Sequence, residues 1–360
     1  METRRVPVVS TLADMSKTLQ PSPMTTMRTW HIVHDIAAQV RHSVLSTTFY
    51  PATQDLPKPK ASTHSSTSFE FSRNTVLSVV RRLYHTMHPP NVVSYRVHDS
   101  NIGVLSPLSS RHPGSGFLRG SSTFNAVLAR STSIISSLTS TSAQPFFTLL
   151  KNQAKLDDPT IVALSTDAML YSPSIVGLRR DDSDRFEASN DDFDGELDAI
   201  PADPTTKDLE APPAINAQSQ RAMGEHVSPY FMNVLSAAPV HVGPFYSACP
   251  SSDLETKCIV RQTMKSRVAR ALRLFAARGD STLVLCAFGC EEGTPIDTIA
   301  EVYAELLACS SSTGDAGDGE FRDVFEKVVF AIPRKLYSTF RKTFEMRVYE
   351  DELIHSLEGN

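Results

Sequence analysis

Short apolar runs recur along the chain, and their lengths are typical of buried β-strands. Thr282–Phe288 is an almost continuous apolar run, as expected of a strand that is covered on both faces. Ile102–Leu105 and Lys327–Ile332 are similar runs. Two further strands are predicted over Thr160–Tyr171 and Tyr230–Ala237. Together these segments predict a sheet of several strands.

Segments with helical spacing of apolar residues separate these strands. Apolar positions recur every three or four residues along one stripe from Phe124 to Leu138, and again along Val260–Arg278. Ile296–Ala308 and Arg334–Tyr349 show the same spacing. Strands that alternate with helices predict an α/β fold, in which helices cover both faces of a largely parallel or mixed sheet.

The N-terminal quarter of the chain has a different pattern. Met1–Met27 is rich in Ser, Thr and Pro and is predicted to be a flexible leader. Helices are predicted at about Trp30–Leu45 and Ser72–His85, with a loop over Gln54–Ser68 between them. A strand is predicted at Val92–Val97. We therefore divide the chain into a leader (1–27), an N-terminal helical region (28–90) and an α/β domain (91–350).

Composition and charge narrow the functional classes. The formal net charge of −5 gives no argument for direct nucleic-acid binding, and no apolar run approaches the ~20 residues that span a bilayer. Met1–Thr26 has no signal-peptide block, and five cysteines favour a reducing compartment, so a cytoplasmic or nuclear location is expected. Cys286 and Cys290 lack the partners of a zinc set, and we expect no metal and no cofactor.

Two charged segments stand out from this composition. Asp181–Glu210 holds twelve acidic residues and few apolar ones, so we predict a disordered insertion at about 180–220. The helix predicted over Val260–Arg278 carries a basic outer face, which we expect to be solvated rather than bound to a polyanion. The basic residues of that face are Arg261, Lys265, Arg267, Arg270 and Arg273.

A glycine-rich turn, His112–Gly120, follows the strand at Ile102–Leu105 and leads into the next helix. Backbone N–H groups in such a turn can approach an anion closely, and a helix start adds partial positive charge. The arrangement is typical of phosphate-binding loops, and it is also common in ordinary strand-to-helix connections. Its candidate ligand-binding residues are Gly114, Ser115, Gly116, Arg119 and Gly120.

This turn and the following Leu128-Ala129-Arg130-Ser131 resemble the catalytic loop of the microbial-type poly(ADP-ribose) glycohydrolases. Four more segments resemble that family in matching order, and the resemblance covers roughly Phe69 to Ile332. It implies a three-layer α/β/α macrodomain-like sandwich with a mixed sheet and an N-terminal helical extension. The four segments are Thr166–Pro173, Leu235–Val240, Arg261–Gly279 and Ala287–Cys290.

The resemblance also implies a reaction. Members of the family hydrolyse the ribose–ribose bonds of poly(ADP-ribose) with a Gln-Glu-Glu triplet, in which one glutamate orients the ribose and the next protonates the departing oxygen, as a glycosidase acid does. The triplet falls on Phe124, Asn125 and Ala126. Asn125 can still bond a ribose hydroxyl, whereas Ala126 cannot transfer a proton. We therefore predict that hydrolysis is weak or lost. Phe124 also lies on the apolar stripe and is expected in the core.

A second glycine loop departs from the family pattern as well. The family usually has Gly-Cys-Gly-x-Phe-Gly, where this chain has two carboxylates, Glu291 and Glu292. Each exposed carboxylate repels a diphosphate by about 1 kcal/mol. The alternative is that one of them serves as a substitute acid. The candidate ligand-binding residues of this loop are Gly289, Cys290 and Gly293.

Asp167 and Tyr171 complete the candidate ligand site, because ligand sites in open α/β sheets gather at strand ends. Tyr171 is expected either to stack against an adenine or to pack in the core. The partners implied by the resemblance are ADP-ribose, poly(ADP-ribose) and ADP-ribosylated proteins. Three functions stay open: a weakened glycohydrolase, a module that binds ADP-ribose without cleaving it, and a scaffold without a ligand.

Overall fold

A computed structural model of the chain describes residues 36–59, 66–88, 100–108, 112–114, 117–119, 121–181, 226–248, 253–310 and 319–358. In these residues a seven-stranded mixed sheet is covered by helices, so the predicted α/β class is confirmed. The helices and strands described below are numbered in chain order.

The first half of the chain contributes α1 (36–46), β1 (Thr48–Tyr50), β2 (Ser68–Ser72), α2 (Val76–Met87), β3 (Ile102–Pro107), α3 (Phe124–Ser131), α4 (Ile134–Leu138), α5 (Gln144–Gln153), α6 (Pro159–Leu164) and β4 (Met169–Arg179). The second half contributes β5 (His226–Ala237), α7 (Val242–Ala248), α8 (Asp253–Arg278), β6 (Thr282–Leu285), α9 (Ile296–Leu307), β7 (Lys327–Ala331) and α10 (Arg334–Glu358).

The strand order is β1-β4-β5-β3-β6-β7-β2. The five strands from β5 to β2 are parallel to one another, and β4 is antiparallel to both of its neighbours. The carboxyl ends of β3, β6, β7 and β2 therefore meet at one edge of the sheet. Ligand sites of open α/β sheets form at this kind of edge.

The most apolar runs of the sequence became the central strands. Every residue of β3 and β6 is buried, which explains why both runs lack the alternation of a half-exposed strand. The strands predicted near Tyr230–Ala237 and Lys327–Ile332 are confirmed as β5 and β7. The helices α8 and α9 are likewise confirmed, and α10 extends nine residues beyond the predicted end at Tyr349, to Glu358.

The predicted strand over Thr160–Tyr171 is wrong in its first half, where the chain forms α6. Asp158 caps this helix, because its carboxylate accepts hydrogen bonds from the N–H groups of Thr160 and Ile161 at 2.8 and 3.4 Å. Pro159 occupies the first helical turn, where a missing N–H costs nothing. These local helix-start signals outweigh the apolar content of the segment.

The single helical stripe predicted from Phe124 to Leu138 is also wrong, because α3 and α4 are separate helices. The break falls at Thr132 and Ser133, which bond to β4. Ser133 donates its N–H to the Val176 carbonyl at 2.9 Å, and its hydroxyl accepts from the Val176 N–H at 3.0 Å. A polar pair can thus connect two helices without disturbing their common apolar spacing.

The N-terminal region contributes both edge strands, β1 and β2, which the apolar pattern did not predict. They are three and five residues long, too short for a clear alternation. The helix predicted to start at Ser72 starts at Val76, because Ser72 belongs to β2 and the Thr75 hydroxyl caps the helix by accepting from the Ser78 N–H. The predicted helix near Trp30–Leu45 is confirmed over 36–46.

Three predictions fall on residues outside the described ranges: the leader over 1–27, the strand at Val92–Val97 and almost all of the acidic insertion. Across the part of the chain that the structure describes, no helix combines the length and apolar character needed to cross a membrane. The same residues hold no group of three His, Cys, Asp or Glu side chains arranged for a metal ion.

The basic face of α8 is not the solvated surface that we predicted. Lys265 and Arg267 are 4% and 2% exposed. Arg270 donates to the backbone carbonyls of Pro51 and Gln54, and Arg273 forms an ion pair with Glu320. The basic side chains of this face are buried or bound to other parts of the protein, so the face is not available to a polyanion.

Candidate functional site

A cavity of about 710 Å³ lies at the edge where the carboxyl ends of β3, β6, β7 and β2 meet. The starts of α2, α3 and α10 also border it. Most of its lining is apolar, with charged side chains at several points. The apolar lining consists of Val76, Pro107, Phe124, Val127, Ala287, Ala331, Pro333 and Leu336, and the charged lining of Arg73, Asp181, Glu291, Glu292 and Arg334.

The first glycine loop connects β3 to α3; Pro107 and Ser122, at its two ends, line the cavity, whereas Gly114 does not. Gly114 has a φ of +75°, and a Cβ atom there would meet Ile135 Cδ1 at 2.5 Å. The turn itself therefore requires glycine at this position. Three of the predicted ligand residues, Ser115, Gly116 and Gly120, lie outside the described residues, as does the side chain of Arg119.

Arg130, from the Leu-Ala-Arg-Ser stretch, closes this loop. Its guanidinium donates to the backbone carbonyl of Ser121 at 2.7 Å and to that of Phe117 at 3.3 Å. Because Arg130 lies in the last turn of α3, these bonds hold the loop against the helix that follows it. An arginine in this motif thus has a positioning role in the loop.

Asn125 and Ala126 occupy the first turn of α3, at the end of β3. The Asn125 carbonyl accepts from the Ser106 hydroxyl at 3.0 Å, and its amide group donates to the Pro107 carbonyl. Asn125 is 8% exposed and Ala126 is fully buried. The amide of Asn125 therefore joins α3 to β3, and neither Asn125 nor Ala126 lines the cavity.

Phe124 and Val127 are the side chains of α3 that line the cavity, together with Ser122 just before the helix. The apolar stripe predicts a core position for Phe124. It is instead only partly buried, with one side packed against the core and another bordering the cavity. Periodicity identifies the buried side of a helix but does not distinguish a core from a cavity floor.

The second glycine loop, after β6, also borders the cavity. Gly289 and Gly293 have φ angles of +83° and +99°. The N–H groups of Cys290, Glu292 and Gly293 donate to carbonyls of the loop itself, at 3.1, 3.1 and 3.2 Å. These donors are used inside the turn, so they are not available to cradle a phosphate. Gly289, Cys290, Glu291 and Glu292 line the cavity, whereas Gly293 does not.

Both cysteines of this region are held as neutral thiols. Burial, followed by the charges of Glu292 and neighbouring acids, raises the pKa of Cys290 to about 12. Burial also raises the pKa of Cys286. At neutral pH neither thiol forms the thiolate that a nucleophile or a metal ligand requires.

Tyr171 and Asp167 do not line the cavity, which corrects the expectation that they bind ligand. Tyr171 is 2% exposed, and its hydroxyl donates to Asp280 Oδ2 at 2.8 Å. Asp167 accepts from Arg267 Nε at 2.8 Å. Arg267 also donates to the backbone carbonyls of Leu164 and Ala238, so Asp167 anchors α8 to the segment before β4.

Asp280 is a buried carboxylate beside β6. It accepts from Tyr171 and from the amide of Asn233, at 2.8 and 2.6 Å. The guanidinium of Arg278 lies 4.9 Å from the centre of the Tyr171 ring. Burial raises the pKa of Asp280 to about 6, although both hydrogen bonds favour its ionised form. This cluster is structural, since it lies away from the cavity lining.

Arg73 and Arg334 are cavity residues that sequence reasoning missed. Each stands between a strand and the start of a helix: Arg73 follows β2, and Arg334 is the first residue of α10. That position was the available signal, because residues at such junctions of parallel strands face the carboxyl edge of the sheet. Asp181, just after β4, was likewise not singled out as a cavity residue.

The fold and the cavity define an α/β protein with a cavity at the carboxyl edge of a mixed sheet. Residues 26–180 match the family model "Microbial-type PARG, catalytic domain", where PARG is poly(ADP-ribose) glycohydrolase. This match covers less than half of the chain, and over these residues it confirms the family resemblance recognised in the sequence. No curated protein matches the sequence.

Solved structures of bacterial poly(ADP-ribose) glycohydrolases have the same fold. The enzyme from Deinococcus radiodurans, in complex with ADP-ribose, is 20% identical with a TM-score of 0.58, covering 86% of this chain and 97% of its own. The enzyme from Thermomonospora curvata is 22% identical with a TM-score of 0.58, covering 86% and 89% of the two chains. At this level of identity the similarity establishes the fold.

Proposed function

We propose that this protein is an ADP-ribose-binding domain of the poly(ADP-ribose) glycohydrolase type with little or no hydrolytic activity. The observation that carries the proposal is the state of the first turn of α3. Ala126 is fully buried where the family has its acid, and the amide of Asn125 is bonded to the end of β3. This turn has no group that can protonate a departing ribose oxygen.

The missing acid argues against hydrolysis on energetic grounds. A positioned general acid typically contributes about 10²–10⁴-fold to the rate of a reaction of this kind. An alanine cannot replace it, and an asparagine has no titratable proton near neutral pH. Glycosidic cleavage also requires the acid to lie close to the bond that breaks. A carboxylate elsewhere in the cavity can replace it only if it lies within reach of the departing oxygen.

Binding has separate support in the shape of the cavity. A volume of about 710 Å³ falls within the usual range of about 300–1,000 Å³ for small-molecule sites. Phe124 and Val127 give it an apolar floor suited to a nucleobase, and two arginines border it. The solved relatives from Deinococcus radiodurans hold ADP-ribose, which makes it the first ligand to test.

The alternative that deserves a direct test is a relocated acid. Glu291 and Glu292 both line the cavity, in the loop that follows β6, the strand next to β3. A carboxylate there could protonate a ligand bound in another orientation. This reading predicts measurable cleavage by the wild-type protein and its loss in Glu291→Gln or Glu292→Gln.

Calorimetry with ADP-ribose, paired with a cleavage assay on poly(ADP-ribose), tests the proposal. We expect saturable binding of ADP-ribose with no cleavage above background. Efficient cleavage by the wild-type protein would overturn the pseudo-enzyme proposal, and the two Glu→Gln variants would then identify the acid. Absence of both binding and cleavage would favour a scaffold without a ligand.

A restoration experiment gives the first prediction. Asn125→Glu combined with Ala126→Glu returns two carboxyl groups to the first turn of α3, and we expect cleavage to rise at least about 10-fold over the parent. Val127→Glu is the matched control, because it adds a carboxylate to the cavity from the same helix at a different position. Equal rates in the control and the double variant would count against a position-specific acid. Circular dichroism verifies that each variant is folded.

A further inference from the structure

Two arginines share one end of the cavity. Arg73 lies just before α2, and Arg334 opens α10; both are exposed and both line the cavity. Within the residues that the structure describes, several arginines form ion pairs, for example with Glu70, Glu305, Glu320 or Glu345, whereas neither of these two does. Two cations at a cavity wall without acidic partners indicate a site for a negatively charged group.

The position of Arg73 brings the two charges to the same helix end. Its guanidinium lies over the ring of Tyr337, 4.7 Å from the ring centre. Tyr337 is in the first turn of α10, three residues after Arg334. This cation–π contact orients Arg73 toward the start of α10. Like charges held near each other repel, and a bound anion relieves that repulsion.

The two helices add to the positive field at this wall. The starts of α2, of 12 residues, and of α10, of 25 residues, both border the cavity. Helix starts carry N–H groups without partners inside the helix and a partial positive charge. The arginines and the helix starts therefore favour an anion at the same place, and we name this surface, comprising Arg73, Arg334 and the first residues of α2 and α10, the basic wall.

The second glycine loop, after β6, is unfavourable for an anion. The N–H groups of Cys290, Glu292 and Gly293 are used in its own turn, and the carboxylates of Glu291 and Glu292 repel anions. We infer that the basic wall binds the phosphate groups of the ligand, while the apolar floor around Phe124 and Val127 holds the uncharged part. The ligand class is an organic mono- or diphosphate. Its identity as ADP-ribose rests on the proposed function.

Calorimetry separates the claim that the basic wall binds phosphate groups from the claim that the ligand is ADP-ribose. The three probes are inorganic pyrophosphate, adenosine and ADP-ribose. We expect Arg73→Gln combined with Arg334→Gln to weaken pyrophosphate and ADP-ribose binding at least 10-fold, and adenosine binding less than twofold. Lys335→Gln is the matched control, since Lys335 is an exposed neighbouring cation that does not line the cavity. Thermal unfolding verifies that loss of the Tyr337 contact leaves the fold intact.

The outcomes distinguish this inference from the proposed function. Pyrophosphate binding that depends on the arginines supports the basic wall, even if adenosine and ADP-ribose fail to bind and the proposed function is wrong. ADP-ribose binding that is unchanged in the double arginine variant overturns the basic wall and leaves the proposed function intact. A wild-type protein that does not bind pyrophosphate also overturns it. As a further arm, Glu291→Gln should strengthen binding of ADP-ribose without affecting that of adenosine.

Discussion

At the scale of single residues, two aromatic side chains have roles that their sequence neighbourhood does not reveal. Tyr171 lies within β4, where its ring is buried and its hydroxyl finds the carboxylate of Asp280. Phe124 begins α3 at the edge of the sheet, where one side of its ring borders the cavity. The difference arises from what surrounds each ring in three dimensions, because both rings are apolar and both belong to regular elements.

Removing the Tyr171 hydroxyl should destabilise the protein in a pH-dependent way. Tyr171→Phe leaves Asp280 with one donor fewer, and loss of a hydrogen bond to a buried charged group costs about 1–3 kcal/mol. The cost is larger when Asp280 is ionised, above its pKa of about 6. We expect a larger loss in the free energy of unfolding at pH 8 than at pH 5, measured by urea titration.

The sign of the parent protein's own pH dependence follows from the same group. The folded-state pKa of Asp280 is raised above 3.8, so the folded state holds this proton more tightly than the unfolded state. Its contribution to stability is present at low pH and is lost as pH rises toward and through about 6. Tyr171→Phe should steepen that loss, and Tyr349→Phe, at an exposed ring, should not change it. Equal costs of Tyr171→Phe at both pH values would refute this account.

Gly289 gives a second prediction at the residue scale. An alanine there needs a φ of +83°, and its Cβ would lie 2.7 Å from Met264 Cε and 2.9 Å from Thr294 Oγ1. Strain of this kind costs about 1–3 kcal/mol. We expect Gly289→Ala to lower the melting temperature and to weaken ADP-ribose binding by displacing the second glycine loop. Gly243→Ala is the control, since its Cβ would meet no atom within 4 Å; a similar effect there would argue against local strain.

At the scale of elements, the basic face of α8 joins helices rather than facing solvent. The carboxylate of Glu305 on α9 is 3% exposed. It contacts Lys265 Nζ at 3.0 Å and Arg347 Nε at 3.2 Å, and it also pairs with Arg261. One buried carboxylate thus connects α8, α9 and α10, which explains why a helix in the interior of the fold retains so many basic residues.

Neutralising Glu305 should therefore be costly. Glu305→Gln removes the carboxylate charge 3.0 Å from the buried Lys265 and 3.2 Å from the partly buried Arg347, and breaking a buried pair in this way costs about 3–5 kcal/mol. Glu345→Gln is the matched control, because its pair with Arg341 is exposed at both ends and should contribute less than about 1 kcal/mol. Urea unfolding of both variants measures the difference. Similar losses of unfolding free energy in the two variants would show that burial does not set the strength of the ion pairs of Glu305.

At the scale of the whole molecule, the cavity is assembled from distant parts of the chain. Its lining comes from residues near 75, 107, 125, 181, 290 and 335, and β2 reaches it only by pairing with β7. A ligand in this cavity contacts elements that the unfolded chain holds far apart. A bound ligand should consequently stabilise the whole fold against unfolding.

ADP-ribose should raise the melting temperature of the parent protein in proportion to the logarithm of its concentration. A ligand that binds only the folded state contributes about 2.7 kcal/mol at 100 times its dissociation constant. We expect Arg73→Gln combined with Arg334→Gln to require at least tenfold more ADP-ribose for the same shift, and Lys335→Gln to behave as the parent. Differential scanning calorimetry measures the shift. A parent melting temperature that does not change with ligand would contradict binding at this cavity.

The local pattern of the sequence was sufficient for the central strands β3, β5, β6 and β7 and for the helices α8, α9 and α10. It was sufficient because each is a long or fully apolar segment whose period depends only on its own residues. The motifs likewise indicated the resemblance to the microbial-type poly(ADP-ribose) glycohydrolases, and the absence of the triplet glutamates at Asn125 and Ala126 predicted that hydrolysis is weak or lost.

Other features were decided only by the tertiary structure. The edge strands β1 and β2 exist because they pair with β4 and β7, and the break between α3 and α4 exists because Ser133 bonds to β4. The burial of Lys265 depends on Glu305, forty residues away, and the basic wall unites Arg73 with Arg334. Periodicity and motifs report a residue's relation to its neighbours in the chain, whereas each of these features depends on partners that only folding brings into contact.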